Sequence, residues 1–427
     1  MIPLLYISFI IFLFSLTSLI PYHSLIEKKF KIKKNSEFNH TLNLLIFLNL
    51  LLALSIFNLT IVSCFIILLI TSIFTLFVSF NKITPENIKI NFLIFFISIL
   101  FSIDLIFNLE LYWDAQKIWL NKTIIFFNNG TIENIEESIR PNYPLLGSLI
   151  WSFFWKLSNS QIEYFGRIFY IIIFLCSIWY FSLTINKKLH TKIAVFLFSA
   201  IIIYDSWHFR GTQEILVFSF SLICASSIYL IQTNRNCNIF FVIYLLSFNL
   251  LIWTKNEAII FAILLNIILF YQNIKLKKLK NKFILIPFVF IIFRFLVFKF
   301  YNFELNLSKD FDYFNILEIF YKNLKADNIL LISKHFVISF FKFPYILIGI
   351  IALLALNLKT LKQNKIYLLY LLLNICVLYI IYLSTKVEVA HMVTTGLNRL
   401  IFESFPIILV FVAIYLNSKK SFEIKLK

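Results

Sequence analysis

The chain has 427 residues, 60% of them hydrophobic and only 14% charged, with a mean hydropathy of +0.88. Soluble domains are roughly 45–50% apolar and about 25% charged, so a soluble enzyme, a disordered chain and a collagen-like chain are excluded. The net charge of +18, from 39 Lys+Arg against 21 Asp+Glu, fits cytoplasmic loops that collect basic residues rather than a nucleic-acid partner.

The apolar runs are long and continuous, unlike the alternating strands of an outer-membrane barrel. They predict an all-α fold, a polytopic transmembrane helical bundle. A helix needs about 20 apolar residues to cross the hydrocarbon. Thirteen runs are read as spans: 2–20, 41–57, 60–80, 90–108, 163–184, 192–207, 214–231, 238–253, 256–272, 283–300, 335–357, 366–384 and 397–416. The first lacks a basic start and a small-residue cleavage site, so it reads as a retained span and not a signal peptide. The five cysteines are scattered, without CxxC or His/Cys ligand spacing, and read as small hydrophobes.

The run 143–155 is short for a span, and it sets the sidedness of everything after it. If it does not cross, loops 21–40, 81–89, 185–192, 232–238, 273–282, 358–365 and the tail 417–427 share one side. They carry 23 Lys+Arg, against 13 in the longer loops opposite. If it crosses, the basic run 275–282 and the tail face away from the basic run 28–34. Only the first arrangement keeps positive charge inside. The sequence therefore predicts an interfacial or re-entrant helix at 143–155, an outside N-terminus and a cytoplasmic C-terminus. The chain reads as one membrane domain, residues 1–427. Spans before residue 90 form an accessory layer on a core of 90–416, which carries the outer loop 109–162.

Ionisable groups in or beside a membrane are costly and are functional candidates by default. Five clusters fall on the outer side. In the first, Glu110 to Lys122, residues 114–127 suit an amphipathic interfacial helix. Trp113 and Trp119 would anchor it, with Lys117 and Lys122 toward water or phosphate. Asp114 is its carboxylate. The second is Arg140 with Tyr143, where two prolines three residues apart fix a rigid turn and open a helix. The third crowds Asp205, His208, Arg210 and Glu214 into one turn. Glu214 starts the next apolar run, where the helix dipole keeps a carboxylate ionised. His208 reads as an interfacial histidine or a metal ligand. The fourth is Lys255 with Glu257, either a mutual ion pair closing a hairpin or a grip on phosphate. The fifth runs from His391 to Arg399 and ends with Glu403 and Pro406. Arg399 needs an anion, either a protein carboxylate or a ligand phosphate. Carboxylates and cations converging on one face suit a ligand with an anionic phosphate and a hydroxyl-rich part, such as a lipid-linked sugar.

At these residues the chain resembles the bacterial multi-spanning GT-C glycosyltransferases of the RgtA/B/C/D-like, family-39-like group. WDAQKIWLNK (113–122) resembles the family's W-D-A segment, and NYPLL (142–146) its Y-P-L turn. TKNEA (254–258) is similar to a T-K-N-E-G segment, with Ala258 in the Gly position. TTGLNRLIFESFP (394–406) resembles the closing stretch that ends in Pro. The resemblance implies a polyprenyl-phosphate sugar donor and a glycan, lipid or protein acceptor of the cell envelope. Transfer would occur on the outer, periplasmic face of a bacterial inner membrane, with inversion at the anomeric carbon. It makes Asp114 the first-loop acidic residue, a general base or acceptor binder. The family's second acidic position falls on Glu214, with Asp205 as rival, because RGTQE stands in place of a G-Y-x-D-like turn. A divalent cation, Mg or Mn, held by Asp114 and Glu214 is the cofactor option. Lys117, Arg140, Tyr143, Asp205, His208, Arg210, Lys255, Glu257, His391 and Arg399 are the candidate substrate-binding residues. The rival functions are a transporter or flippase, or an O-antigen polymerase or ligase, acting on lipid-linked saccharides.

Overall fold

The computed structural model describes residues 2–30, 36–107, 109–234, 237–276, 279, 283, 285–303, 311–312 and 315–423. The basic segments 31–35, 277–278, 280–282 and 424–427, used above to assign sidedness, lie outside the described residues. Among the described residues the fold is helical, with one isolated β-bridge between Phe311 and Thr385. Helices are what long apolar runs must form, because in hydrocarbon every backbone group needs a partner within its own segment.

In chain order the helices begin with α1 (Ile2–Leu19), α2 (Ser24–Phe30), α3 (Ser36–Ile56), α4 (Ile61–Ser79) and α5 (Pro85–Phe107). The loop 109–162, called the outer loop after the side expected for it, contributes α6 (Leu120–Phe127) and α7 (Leu146–Leu157). Next come α8 (Tyr164–Ser182), α9 (Leu189–Ile203), α10 (Glu214–Thr233), α11 (Asn238–Ile252), α12 (Ala258–Leu276) and α13 (Ile286–Phe300). The last are α14 (Ile316–Asn323), α15 (Ala326–Lys342), α16 (Pro344–Leu354), α17 (Leu358–Gln363), α18 (Lys365–Leu383), α19 (Val389–Ser404) and α20 (Ile408–Glu423).

Eleven of the thirteen runs each coincide with one helix and two, 335–357 and 397–416, each fall on two, but length and composition qualify eight among the described residues as membrane spans, or nine if one bent pair counts. The bent pair is α15 and α16, which meet at 94° where a single span over 335–357 was expected. The cause is local. Pro344 offers no N–H and forces Phe343 into an extended conformation, φ −107° and ψ 97°.

Helices α8 and α10 are wholly buried and form the centre of the bundle. Helices α1 and α5 pack on each other and on α8. Buried polar side chains tie α1 to α3 and to α5: Ser18 Oγ lies 2.7 Å from His40 Nε2 of α3, and Asn91 Nδ2 of α5 donates to Ser15 Oγ at 3.3 Å.

Loops that the charge count placed on one side are joined to each other. Lys192 pairs with Glu37 at 2.6 Å, and Lys82 pairs with Glu27. Asn417 donates to the Thr184 carbonyl at 3.0 Å, and Gln232 to Asn364 Oδ1 at 3.4 Å. The opposite set is joined too. Tyr112 N–H donates to the Arg210 carbonyl at 3.0 Å, and Leu146 N–H to the Trp253 carbonyl at 3.1 Å. Helix α7 stays with this second set, since Leu146 opens it and Lys156, near its end, donates to the Phe127 carbonyl at 3.0 Å. It is buried from Leu146 to Trp155. It is therefore a core element packed under the outer loop, not a helix lying on the surface.

Helices α7 and α8 approach closely at Gly166, where an added Cβ would lie 2.1 Å from the Trp151 carbonyl oxygen. Gly166→Ala should lower the thermal midpoint in detergent, with a cost of roughly 1–3 kcal/mol from overpacking against backbone. Gly396→Ala meets only the Tyr382 hydroxyl at 3.1 Å and should change it far less. Equal midpoints for the two variants would contradict this packing.

Candidate functional site

Four separate segments bring charged side chains to one point. The first is the outer loop, where a π-helical turn (Ala115–Trp119) follows Asp114 and leads into α6. The expected helix over 114–127 is thus present, with its first turn widened. The second is the turn into α10. Asp205 caps a 3-10 turn (Ser206–Phe209) by accepting from Trp207 N–H at 3.0 Å. Gly211 then takes a φ of +83°, a left-handed conformation open to glycine, with Ala115 and Trp151 close around it. That turn delivers Glu214 as the first residue of α10. The third is the short link between α11 and α12 that carries Lys255. The fourth is α19, where Arg399 and Glu403 sit four residues apart on one face.

Buried Arg167 of α8 ties the first two segments together. It donates to the Phe209 carbonyl at 3.1 Å and the Leu109 carbonyl at 3.2 Å, and pairs with Glu163 at 2.8 Å.

The charged groups form a continuous chain. Arg399 Nη1 reaches Asp114 Oδ2 at 2.5 Å. Its Nε and Nη2 donate to Glu214 Oε1 at 2.7 and 2.6 Å. Lys255 Nζ donates to the same Glu214 oxygen at 3.2 Å and to Glu403 Oε1 at 2.6 Å. Glu214 and Glu403 have no exposed surface. Burial alone would push the Lys255 pKa down, but the Glu214 and Glu403 carboxylates outweigh it and hold the ammonium above its ordinary value. Opposite charges therefore alternate from Asp114 to Glu403. This is the arrangement that makes buried ions tolerable, because removing one member strands its neighbours.

Beside this chain lies a cavity of about 710 Å3. Asp114, Arg140, Lys255, Glu257, His391 and Arg399 supply its polar groups. Tyr112, Trp113, Trp119 and Tyr143 give it an aromatic side, and Ile259, Ile260, Phe295, Ile380, Ile381 and Leu400 an apolar one.

Of the twelve residues predicted for the site, seven line this cavity: Asp114, Arg140, Tyr143, Lys255, Glu257, His391 and Arg399. Glu214 touches the chain of charges but lies behind the cavity wall. Lys117 is exposed outside it. Asp205 serves its own turn, and Arg210 pairs with Glu110 at 3.4 Å. His208 is buried and stacked on Phe402, ring centroids 3.5 Å apart, and neither ring nitrogen has a hydrogen-bond partner among the described residues. Burial lowers its pKa to about 4, so it is neutral at pH 7.

Two expectations for the first cluster are corrected. Trp119 is buried within the protein rather than facing outward from the amphipathic helix. Lys122 is fully buried and donates to the Tyr143 carbonyl instead of facing water. Burial, and then the positive charge of Arg294, push its pKa well down.

Arg167 and Arg294 are contributors the sequence did not single out, and Glu403, named at the end of the fifth cluster, was given no role there. Arg294 is buried, donating to the Ile252 carbonyl at 2.5 Å and to Asn256 Oδ1, so it braces the Lys255 link. Its signal was an arginine inside an apolar run; that of Glu403 was its spacing from Arg399.

The residues do not fit a divalent cation between Asp114 and Glu214. The Arg399 guanidinium fills that place, and among the described residues no three His, Cys, Asp or Glu side chains group to hold a metal ion. No family model, curated protein or solved structure matches the chain.

Lys255→Met should destabilise the protein by about 3–5 kcal/mol, because Glu214 and Glu403 lose their shared cation. Adding Glu403→Gln should recover part of that loss in a double-mutant cycle read by thermal unfolding. Strictly additive losses would argue against the pairing. His208 gives a pH signature. The unfolded chain takes up its proton near pH 6.5 and the folded chain only near 4. Its contribution, up to about 3 kcal/mol, is present above pH 6.5 and falls away as the pH drops toward 4. His208→Phe should keep the stack and flatten this dependence; an unchanged slope would count against it.

Proposed function

We propose that the chain is a GT-C-like membrane glycosyltransferase. It takes a sugar from a polyprenyl-phosphate donor and passes it to a glycan, lipid or protein acceptor on the outer face of a bacterial inner membrane. In this reading all thirteen apolar helices or helix pairs cross the membrane, the N-terminus is outside, and α7 is the segment that does not cross. One observation carries the proposal. Asp114, Glu214, Lys255 and Arg399 come from four distant segments and meet beside one cavity that has both polar and apolar walls. Their gathering at a single end of the bundle favours transfer at a membrane surface over transport, which needs a polar path through the bilayer.

The chemistry follows from the side chains. A hydroxyl attacking the anomeric carbon needs a base to take its proton as the new bond forms. Asp114 reaches the cavity with one oxygen held by Arg399, which leaves Oδ1 to accept that proton. The C1–O bond to the carrier phosphate breaks as the nucleophile's oxygen bonds to C1 from the opposite face, giving inversion in one displacement. The departing phosphate gains negative charge and needs cations. Arg140 suits this best: it has no carboxylate within ion-pair reach among the described residues and lies with its guanidinium carbon 5.8 Å from the Tyr143 ring centroid. Arg399, already shared by two carboxylates, orients Asp114. Glu214 and Glu403 hold Arg399 and Lys255 in place from behind the wall.

The test is sugar transfer by the purified protein in lipid nanodiscs, with a polyprenyl-phosphate sugar as donor. Asp114→Asn should lower the turnover by on the order of 10²–10⁴ with donor binding kept. Arg140→Ala should act mainly on donor affinity. A wild-type rate for Asp114→Asn would remove the proposed base.

A further inference from the structure

A second concavity runs along the length of α9. Its volume is about 580 Å3, and three helix faces build it. Helix α9 contributes Thr191, Val195, Phe198 and Ile202, with small Ala194 and Ser199 between them. Helix α16 contributes Tyr345, Ile348, Ala352 and Ala355, and α20 contributes Leu409, Val412, Tyr415 and Leu416. The spacing on each helix is three or four residues, so each presents one continuous stripe. Tyr345, Leu409 and Ala352 form a buried floor, whereas Phe198 and Ile351 stand exposed along the rims at 57% and 66%. From Thr191 to Ile203 the groove runs about 18 Å at 1.5 Å per residue, slightly more than one leaflet of a hydrocarbon core about 30 Å thick.

The groove has a charged mouth at one end only. Lys187 and Lys188 immediately precede α9, and Lys419 lies one turn beyond Tyr415, its Nζ 4.8 Å from the Tyr415 ring centroid. The two sides of the mouth are held together, because Asn186 N–H donates to Asn417 Oδ1 at 2.8 Å. None of the three lysines makes an ion pair among the described residues, while neighbouring Lys192 is taken by Glu37. The first turn of α9 has no carboxylate and no side-chain cap. Three cations therefore stand at the head of an apolar channel of leaflet depth.

We propose that this groove binds one anionic glycerophospholipid. An acyl chain lies between α9, α16 and α20, and the phosphate sits against Lys188 and Lys419. The chemistry is complementary at both ends. The channel offers apolar surface for hydrocarbon, and basic pockets between helices on the cytoplasmic side are natural sites for anionic headgroups. The bent pair gives the lipid a structural role: α16 is a short helix held by α9 and α20, and a chain in the groove would complete its packing. This site shares no residue with the cavity near Asp114.

The experiment uses the full-length protein, delipidated in detergent and titrated with dioleoylphosphatidylglycerol or dioleoylphosphatidylcholine. Native mass spectrometry counts retained lipid and thermal unfolding reports stability. One phosphatidylglycerol should be retained with on the order of tenfold preference over phosphatidylcholine, as the charge of nearby lysines dictates. Lys188→Glu with Lys419→Glu should abolish the preference, and Ala194→Phe, which fills the groove from its open wall, should abolish retention of both lipids. Equal retention of the two lipids by the wild-type protein would overturn the proposal. So would an undiminished preference in folded Ala194→Phe.

Discussion

The site depends on one guanidinium. Arg399 joins the Asp114 carboxylate of the outer loop to the Glu214 carboxylate at the head of α10, and Glu214 passes the connection to Lys255 and Glu403. In water each pair would be worth little. With Glu214, Glu403 and Lys255 buried and Arg399 nearly so, each ion requires its neighbours, so the four segments that carry the chain are constrained to arrive together. The rest of the fold can be understood as what makes that arrival possible. Helices α8 and α10 give a rigid, wholly buried centre. Arg167 clips two loops to it, Gly211 turns the chain toward α10, and Arg294 with Asn256 steadies the link that bears Lys255.

The division of labour between wall and cavity follows from burial. Carboxylates without exposed surface cannot meet an acceptor hydroxyl, and this separates Glu214 from Asp114, although both touch the same arginine. In the proposed transfer the partly exposed partner would exchange protons with a substrate while the buried partner fixes the geometry. In the proposed transfer the same logic would make Arg399 an orienting group rather than a phosphate ligand. Two carboxylates already hold it, whereas Arg140, also on the cavity wall, has no carboxylate within ion-pair reach among the described residues.

Much of this was legible in the sequence, for identifiable reasons. Continuous apolar runs fix helices, because hydrocarbon leaves the backbone no alternative. The distribution of Lys and Arg grouped the loops into two sets, and the hydrogen bonds join loops within each set. It also placed 143–155 with the outer loop, where α7 is found. Direction was harder to read. Lys122 and Trp119 fall on an amphipathic pattern that suits an interfacial helix. They turn inward because α7 packs against α6 and the turn just before α7 offers the Tyr143 carbonyl to the Lys122 amine. His208, Asp205 and Arg210 share a turn with Glu214, yet a turn has no periodicity from which to infer where each side chain points. Packing against Phe402, Trp207 and Glu110 decides it. The break at Pro344 was hidden inside a run that hydropathy alone treats as one span.

The most direct measurement is side-specific labelling of single cysteines at Trp113 and Thr395, in a chain freed of its native cysteines. A membrane-impermeant maleimide is applied to intact cells and to inverted vesicles, with and without donor lipid. If the ionic chain marks a transferase cavity, both positions are modified from the outside and both are shielded by the polyprenyl-phosphate sugar. Modification from opposite sides, or labelling indifferent to the donor, would contradict it.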